Sequence, residues 1–415
     1  MAQQPNLSRK TLIVAGTEAV SGEDAIAKAS PFITAGSTNP ASMAFLAYDE
    51  INPLSVDFNV VDTSPVRASL TPQKQLIGRK LVNIRPKTMW MNSPGVDFVN
   101  LTDSPANNYP RDDSGSPGAN PEYTTTAGSD HDYCVVTNTG TSVTTGDTSG
   151  HAPFFGSLLR ACGLKQVNEL SASVVYTPRS SSFETATVYV YADQILHKST
   201  GCVGTFTLAG TAGEGIELMF DLQGNYIAPT GANTQPALRY PADNKKLMNF
   251  SRATIEKYAS AGDAVGYQGG SSSEGPIIRS FNFDAGVTVT ERGDINSAEG
   301  LKGLFVTDRA PTLDLVVEVE NRLASSGASP GFNPIQDMSD AYTHNIVFQH
   351  GGTASSGTAH SKTKFTFPEA QLVDVQYGDD SGIRTYNLSY SLTAVADDGE
   401  YKIETGNPAD AAAAS

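Results

Sequence analysis

Apolar residues recur at every second position along most of this chain, and that period commits it to strands. Successive side chains of a strand point to opposite faces, so an alternating run buries one face and leaves the other wet. In "ETATVYVYADQILHKSTGCVGTFTLAGTAGEGIELMFDLQGNYIAP" (184–229), Val188 and Val190 lie on one face and Tyr189 and Tyr191 on the other. A turn at Ala192-Asp193-Gln194 leads into Ile195-Leu196, then Val203 to Leu208, then Ile216 to Phe220. These four runs, joined by Asp and Gly turns, predict an antiparallel meander. "ASVVYTP" (172–178) adds a strand upstream.

The C-terminal portion repeats the theme in "PIIRSFNFDAGVTVTE" (276–291), "LFVTDRAPTLDLVVEVE" (304–320), "TKFTFPEAQLVDVQYG" (363–378) and "IRTYNLSYSLTAV" (383–395). Helix candidates are few. They are "GSLLRACG" (156–163), a mixed segment at 243–262, and a Pro-started turn at Pro334. With 38 Gly and 23 Pro in 415 residues, short strands and many turns are expected. The fold class is therefore mainly β, with antiparallel sandwich or barrel domains and short helices.

The Gly/Ser-rich stretch at 258–275, with "YQGGSSSEG", reads as a linker between a domain at 1–257 and a second at 276–402, followed by a flexible tail at 403–415. Two pairs of segments resemble each other in the same order. "GRKLVNIRPKTMWM" (78–91) matches "KGLFVTDRAPTLDLVV" (302–317), and 204–222 matches 364–392, which points to a duplication. Residues 102–150 are too polar for core and too long for an ordinary connection, so they are expected to be disordered or committed to a partner, with Thr and Tyr leaving room for an extended arm that orders on a neighbouring subunit.

No convincing active site is encoded. Cys162 stands near Arg160 and His151, which could depress a thiol pKa. Its position argues the other way. Leu158, Leu159 and Cys162 share one face of a short helix, and Gly163 sits where a left-handed residue ends it. The thiol then lies at the negative end of the helix dipole, and a buried small apolar side chain is the favoured reading. "SDHDYC" (129–134) lacks further ligands at metal spacing, and "RDDSG" (111–115) and "GDDSG" (378–382) lack the rest of a calcium loop, so all three read as turns. No phosphate loop, nucleophile elbow or dinucleotide fingerprint is present, and no cofactor or metal is expected.

The formal net charge is −16, from 28 Lys plus Arg against 44 Asp plus Glu. No basic block exists to displace counterions from a duplex, so gripping nucleic acid is not expected. Three widely spaced cysteines encode no disulfide framework and fit a reducing compartment. The N-terminus lacks the apolar core of a secretory signal, and no run approaches the ~20 residues of a membrane span. A soluble protein made inside a cell is the expectation.

The order "SRKTLIVAGTEAVSGEDA" (8–25), "INPLSVDFNVVDTSPVR" (51–67), "FFGSLLRACG" (154–163), the YTP strand, the tyrosine-rich hairpin, "ILHKSTGCVGTF" (195–206) and "LQGNYIAP" (222–229) resembles the tail tube, or major tail, proteins of long-tailed, siphovirus-type phages. The second half, with "VTDRAPTLDL" and "GIRTYNLSYSLTAVADDGEYKI", is similar to the family's C-terminal part. Where the family's hairpin turn tends to be Asp-Gly, this chain has Asp193-Gln194.

The resemblance implies a virion structural protein, synthesised in the host cytoplasm and polymerised into stacked rings whose joined sheets line a conduit for DNA ejection. It implies that Leu158, Leu159, Cys162 and Gly163 hold the short helix against the sandwich while Tyr189 and Tyr191 cover the hairpin face. Its expected partners are copies of itself, in trimeric pseudo-hexameric or hexameric rings, with the tape measure protein and DNA passing through the lumen. On balance the lumen is expected to be negative. A surface β-protein recognising a glycan or receptor through loops 102–150 and 351–361 shares the composition, and predicts a monomer or small closed oligomer instead.

Overall fold

The structure is a computed structural model. It describes residues 11–18, 20–28, 44–45, 54–61, 75–90, 97–100, 134–137, 155–169, 173–231, 250–258, 264–266, 276–296, 301–319, 332–350, 362–394 and 396–406. The chain is built mainly of antiparallel strands, as the alternation predicts.

In chain order the first elements are β1 (Thr11–Thr17), α1 (Ala25–Lys28), β2 (Ala44–Phe45), β3 (Leu54–Val61), β4 (Leu76–Ile84), β5 (Lys87–Met89), β6 (Asp97–Asn100) and β7 (Cys134–Thr137). Next come α2 (Gly156–Ala161), β8 (Leu164–Glu169), β9 (Ser173–Pro178), β10 (Ala186–Ala192), β11 (Ile195–Thr211), β12 (Ile216–Thr230), β13 (Phe250–Tyr258) and β14 (Ala264–Gly266). The remainder comprises β15 (Ile278–Asp284), β16 (Val287–Gly293), β17 (Leu301–Arg309), β18 (Thr312–Glu318), α3 (Pro334–Ser339), β19 (Thr343–His350), β20 (Lys362–Asp380), β21 (Ile383–Thr393) and β22 (Lys402–Gly406).

Two layers enclose the main core. The front layer runs β3, β4 with β5, β12, β11, β15, β18, β21, β20. The back layer runs β8, β9, β22, β20, β19, β13, β14. β20 belongs to both, and its ladder to β21 is irregular between Leu372 and Asp374, where a bulge lets a strand bend from one sheet to the other. From the front layer Phe206, Phe281 and Phe283 meet Phe348, Phe367 and Tyr401 of the back, with ring centroids 4.8 Å apart for Phe281–Phe348 and 4.9 Å for Phe283–Tyr401.

Strands on either side of 258–275 pair with each other. β11 takes β15, β13 takes β19, and β9 takes β22, so one apolar core is continuous across the expected boundary. Within 258–275 the structure describes a strand, β14. The first residues of the expected tail at 403–415 are not a tail: Ile403, Glu404 and Thr405 are buried in β22, between β20 and β9. Residues 407–415 lie outside the described residues. So does 102–150, apart from β7, which pairs with β6.

Other expectations are corrected in detail. Ile195-Leu196 and Val203–Leu208 form a single 17-residue strand, irregular near Gly201 (φ +64°), so the meander has three strands there and not four. The mixed segment at 243–262 contains β13, a strand whose partner β19 outweighs its local helical character. Asp193-Gln194 does form a two-residue hairpin turn, with positive φ at Asp193. "GDDSG" is likewise a turn, closed by Ser381-Gly382 with φ of +56° and +88°.

The two matching pairs of segments fold alike. β4 and β5 are parted at Arg85-Pro86, and β17 and β18 at Ala310-Pro311. The Pro86 carbonyl accepts from Phe220 N–H of β12, and the Pro311 carbonyl accepts from Leu392 N–H of β21, both at 3.1 Å. Each of these strands is then the second arm of a long hairpin, β11–β12 or β20–β21. β16 and β17 continue β15 and β18 beyond a kink as a separate two-stranded arm. At the kink Gly286 has φ +59°, and a Cβ there would lie 2.1 Å from the Ala310 oxygen, so only glycine fits.

Candidate assembly surface

The front layer turns one face to the core and the other outward. On the outward face one row crosses six strands of the layer and β5. Met89 pairs with Glu217, which pairs with Ala209; Ala209 pairs with Asn282, and Asn282 with Asp314. Asp314 pairs with Ser389, and Ser389 with Asp374. Neighbouring outward positions carry Asp221, Asp284 and Glu318.

The outward acids of β12, β15, β18 and β20 therefore include Glu217, Asp221, Asp284, Asp314, Glu318 and Asp374. Cations reach three of them from the margins: Lys87 binds Glu217 at 3.0 Å, Arg85 binds Asp221 at 3.0 Å and Arg279 binds Glu318 at 3.0 Å. The other three accept from neutral donors, Asp314 from Ser389 Oγ at 2.7 Å, Asp374 from Gln376 Nε2 at 2.7 Å and Asp284 from Gly286 N–H at 2.8 Å. The same face also carries Thr205, Thr207, Asn282 and Asn387, together with the apolar Met89, Met219 and Val316.

Among the described residues the layer also ends in open backbone. β20 has β21 on one side as far as Asp380, whereas β19 on its other side stops at Gln371. Among the described residues, Leu372–Asp380 has no strand on that side. Val373 and Tyr377 there are 49% and 59% exposed, with Ile383 of the facing turn 43% exposed. A row of unpaired N–H and C=O groups beside apolar side chains is a template for another strand.

The six residues singled out from the sequence fall into two clusters. Leu158 and Leu159 are fully buried in the main core with Val188 and Val190. Cys162 is the C-cap of α2 and is buried, and Gly163 follows with φ +80°. Burial first, and then the Asp221 carboxylate, push the Cys162 thiol well above its ordinary range. Tyr189 and Tyr191 face the opposite side of β10, where they pack with Leu12, Val14, Ile26 and Leu196. Tyr189 donates to Asp24 Oδ2 at 2.5 Å, and Lys198 Nζ lies 4.6 Å from its ring centroid. Burial, the Asp24 hydrogen bond and its charge hold the Tyr189 phenol above its usual range.

Three polar clusters were missed by sequence reasoning. Glu18, 3% exposed, accepts from Thr187 Oγ1 and Gly201 N–H on one oxygen and from Thr185 Oγ1 and Gly22 N–H on the other, at 2.6–2.7 Å. Burial raises its pKa, and those hydrogen bonds partly offset the rise. His344, buried, joins Tyr390 OH at 3.0 Å and Asp337 Oδ2 at 3.3 Å, tying α3 to the core. Arg309 donates to Asp398, Glu400 and the Arg179 carbonyl, fastening the base of the β16–β17 arm to the loop after β9. Burial disfavours the ionised Asp398, but hydrogen bonds from Ser180 and Arg309 together with the guanidinium charge hold its pKa below the usual value. The partners in each cluster come from distant stretches of chain, so no local motif announces them.

No helix among the described residues is long and apolar enough to cross a membrane, and no group of three His, Cys, Asp or Glu among them could hold a metal ion. Comparison with protein-family models finds none that matches the chain, and comparison with curated proteins finds no match.

Proposed function

We infer that this chain is a structural protein that assembles with copies of itself into rings, which stack into a phage tail tube, the conduit for DNA into a host. The observation that carries the reading is the front layer, a sheet with one acidic outward face and an open backbone edge. Ring closure pairs such an edge with a neighbour and removes its tendency to aggregate. The acidic face then turns to the hollow axis. There Asp284, Asp314 and Asp374 repel phosphates, and no counterion release favours DNA sticking as it passes.

The resemblance of "FFGSLLRACG" and "ILHKSTGCVGTF" to tail tube proteins supports the same reading. So does the burial of Leu158, Leu159 and Cys162, which suits a scaffold. Two matching strand units in one chain favour three chains to a ring over six. Negative-stain imaging of purified protein tests the proposal, with rings or filaments about 100 Å wide expected from a closed, stacked assembly. Dispersed single-chain particles at high concentration would contradict it and favour a receptor- or glycan-binding module.

A further inference from the structure

We propose that the Thr187 hydroxyl is a switch with one hydrogen and two destinations. It donates to Glu18 while that carboxyl is ionised and to the Glu23 carbonyl once Glu18 is protonated, so that acid tightens the turn leading into α1. The inference concerns the single chain and is independent of the assembly reading above.

A hydroxyl carries one hydrogen and two lone pairs. Thr187 Oγ1 has three polar neighbours: Ala25 N–H at 3.0 Å, Glu18 Oε1 at 2.7 Å and the Glu23 carbonyl oxygen at 3.1 Å. The Ala25 amide can only donate, so it takes one lone pair. The single hydrogen then cannot serve Glu18 and Glu23 together. With Glu18 ionised, the shorter contact and the charge draw it to Oε1. With Glu18 protonated at Oε1, its own O–H donates to the second lone pair of Thr187, and the hydroxyl hydrogen turns to Glu23. Uptake of one proton thus adds one hydrogen bond to the turn before α1.

The remaining donors stay in place in both states. Gly201 N–H reaches Oε1, while Thr185 Oγ1 and Gly22 N–H reach Oε2. A Cβ on Gly201 would lie 3.7 Å from Gly22 Cα, so these two glycines pack closely, and Glu18 is 3% exposed. Solvent is therefore not at hand to replace a lost partner. Around the carboxyl, titratable groups stand on its own loop (Glu23, Asp24), before and on β10 (Glu184, Tyr189, Tyr191) and on β11 (His197, Lys198, Cys202). Asp24 is engaged by Tyr189 and Lys198, and Glu184 by Arg160 and Arg179. Among the described residues no cation pairs with Glu18, so burial favours its neutral form and raises its pKa.

The sequence supplies a reporter, because Glu23-Asp24 is the only Glu-Asp dipeptide in the chain. Full-length protein made with carbonyl-13C Glu and 15N Asp gives one coupled 13C–15N signal, that of the Glu23 carbonyl. Magic-angle-spinning NMR of sedimented protein reads it in single chains and assemblies alike. As pH falls from neutrality the signal should move downfield, the direction of a gained hydrogen bond, with a midpoint above 4.5. The shift should persist in Thr187→Ser and vanish in both Thr187→Val and Glu18→Gln, which keep the Glu23 and Asp24 side chains. A wild-type signal that does not move above pH 4.5 overturns the switch, and wild type and Glu18→Gln decide the matter even if Thr187→Val fails to fold. An equal shift in Glu18→Gln or Thr187→Val also overturns it, and assigns the titration to Glu23 or Asp24 instead.

Discussion

Trp90 donates its indole N–H to Thr363 Oγ1 at 2.8 Å, joining positions 273 residues apart in the sequence. The ring also lies edge-on to Phe155 and Phe365, at 4.9 and 5.1 Å between centroids. The end of the first front-layer unit is thereby fixed to the back layer, and α2 is placed against both. Trp90→Phe keeps much of the apolar bulk but leaves Thr363 without this donor. A loss of about 1–3 kcal/mol is expected in urea unfolding, typical of a broken buried hydrogen bond.

Leu159→Ala removes a fully buried side chain from the face of α2. The expected cost is about 2–5 kcal/mol by chemical denaturation. A loss below about 0.5 kcal/mol, the range of surface substitutions, would place Leu159 outside the core.

Cys162 should resist alkylation in the folded protein. Its thiol is buried and its pKa raised, so both access and thiolate fraction are low. Peptide mapping after iodoacetamide treatment should find it modified only in denaturant. Rapid labelling of the native chain at neutral pH would revive the nucleophile reading.

Glu18 should make stability depend on pH in a defined direction. Its folded-state pKa is raised from 4.5, so between that value and the higher folded one the folded chain holds more protons than the unfolded chain. Stability from this group is present below the unfolded pKa and is lost as pH rises through the folded one. The wild-type stability relative to Glu18→Gln should therefore increase as pH is lowered from 7 towards 4.5. A difference that stays flat or moves the other way over that window would show that its four hydrogen bonds outweigh burial.

Gly286→Ala should straighten the kink between β15 and β16, because a Cβ would meet the Ala310 carbonyl and the positive φ disfavours a side chain. The expected cost exceeds about 1 kcal/mol, that of one strained backbone position. A melting temperature equal to wild type would refute the tight approach of the two strands.

The period-2 pattern made most strands legible, and local chemistry made their ends legible. Gly163 closes α2, Ser381-Gly382 closes β20–β21, and Pro86 and Pro311 break two strands at matching places. Partner choice was not legible. Alternation says which side chains of β9 or β13 face inward, but not that β9 pairs with β22 or β13 with β19, because many strands offer the same pattern. Hence a Gly/Ser-rich stretch read as a boundary lies within a chain whose core is continuous on both sides of it. The acidic row was hidden for the same reason: Glu217, Asp314 and Asp374 are scattered in sequence and meet only through register. Glu18 gives no signal in "GTEAVSG", since its four donors come from three separated segments.

A cryo-electron reconstruction of concentrated, purified chain asks most directly whether the front layer is completed by copies of itself around a hollow axis. The account predicts a closed sheet in which the free side of Leu372–Asp380 bonds to an adjacent subunit and Asp314 and Asp374 point into the channel. A solitary particle whose β20 rim is covered by its own chain, or an assembly with that acidic face on its exterior, would contradict it.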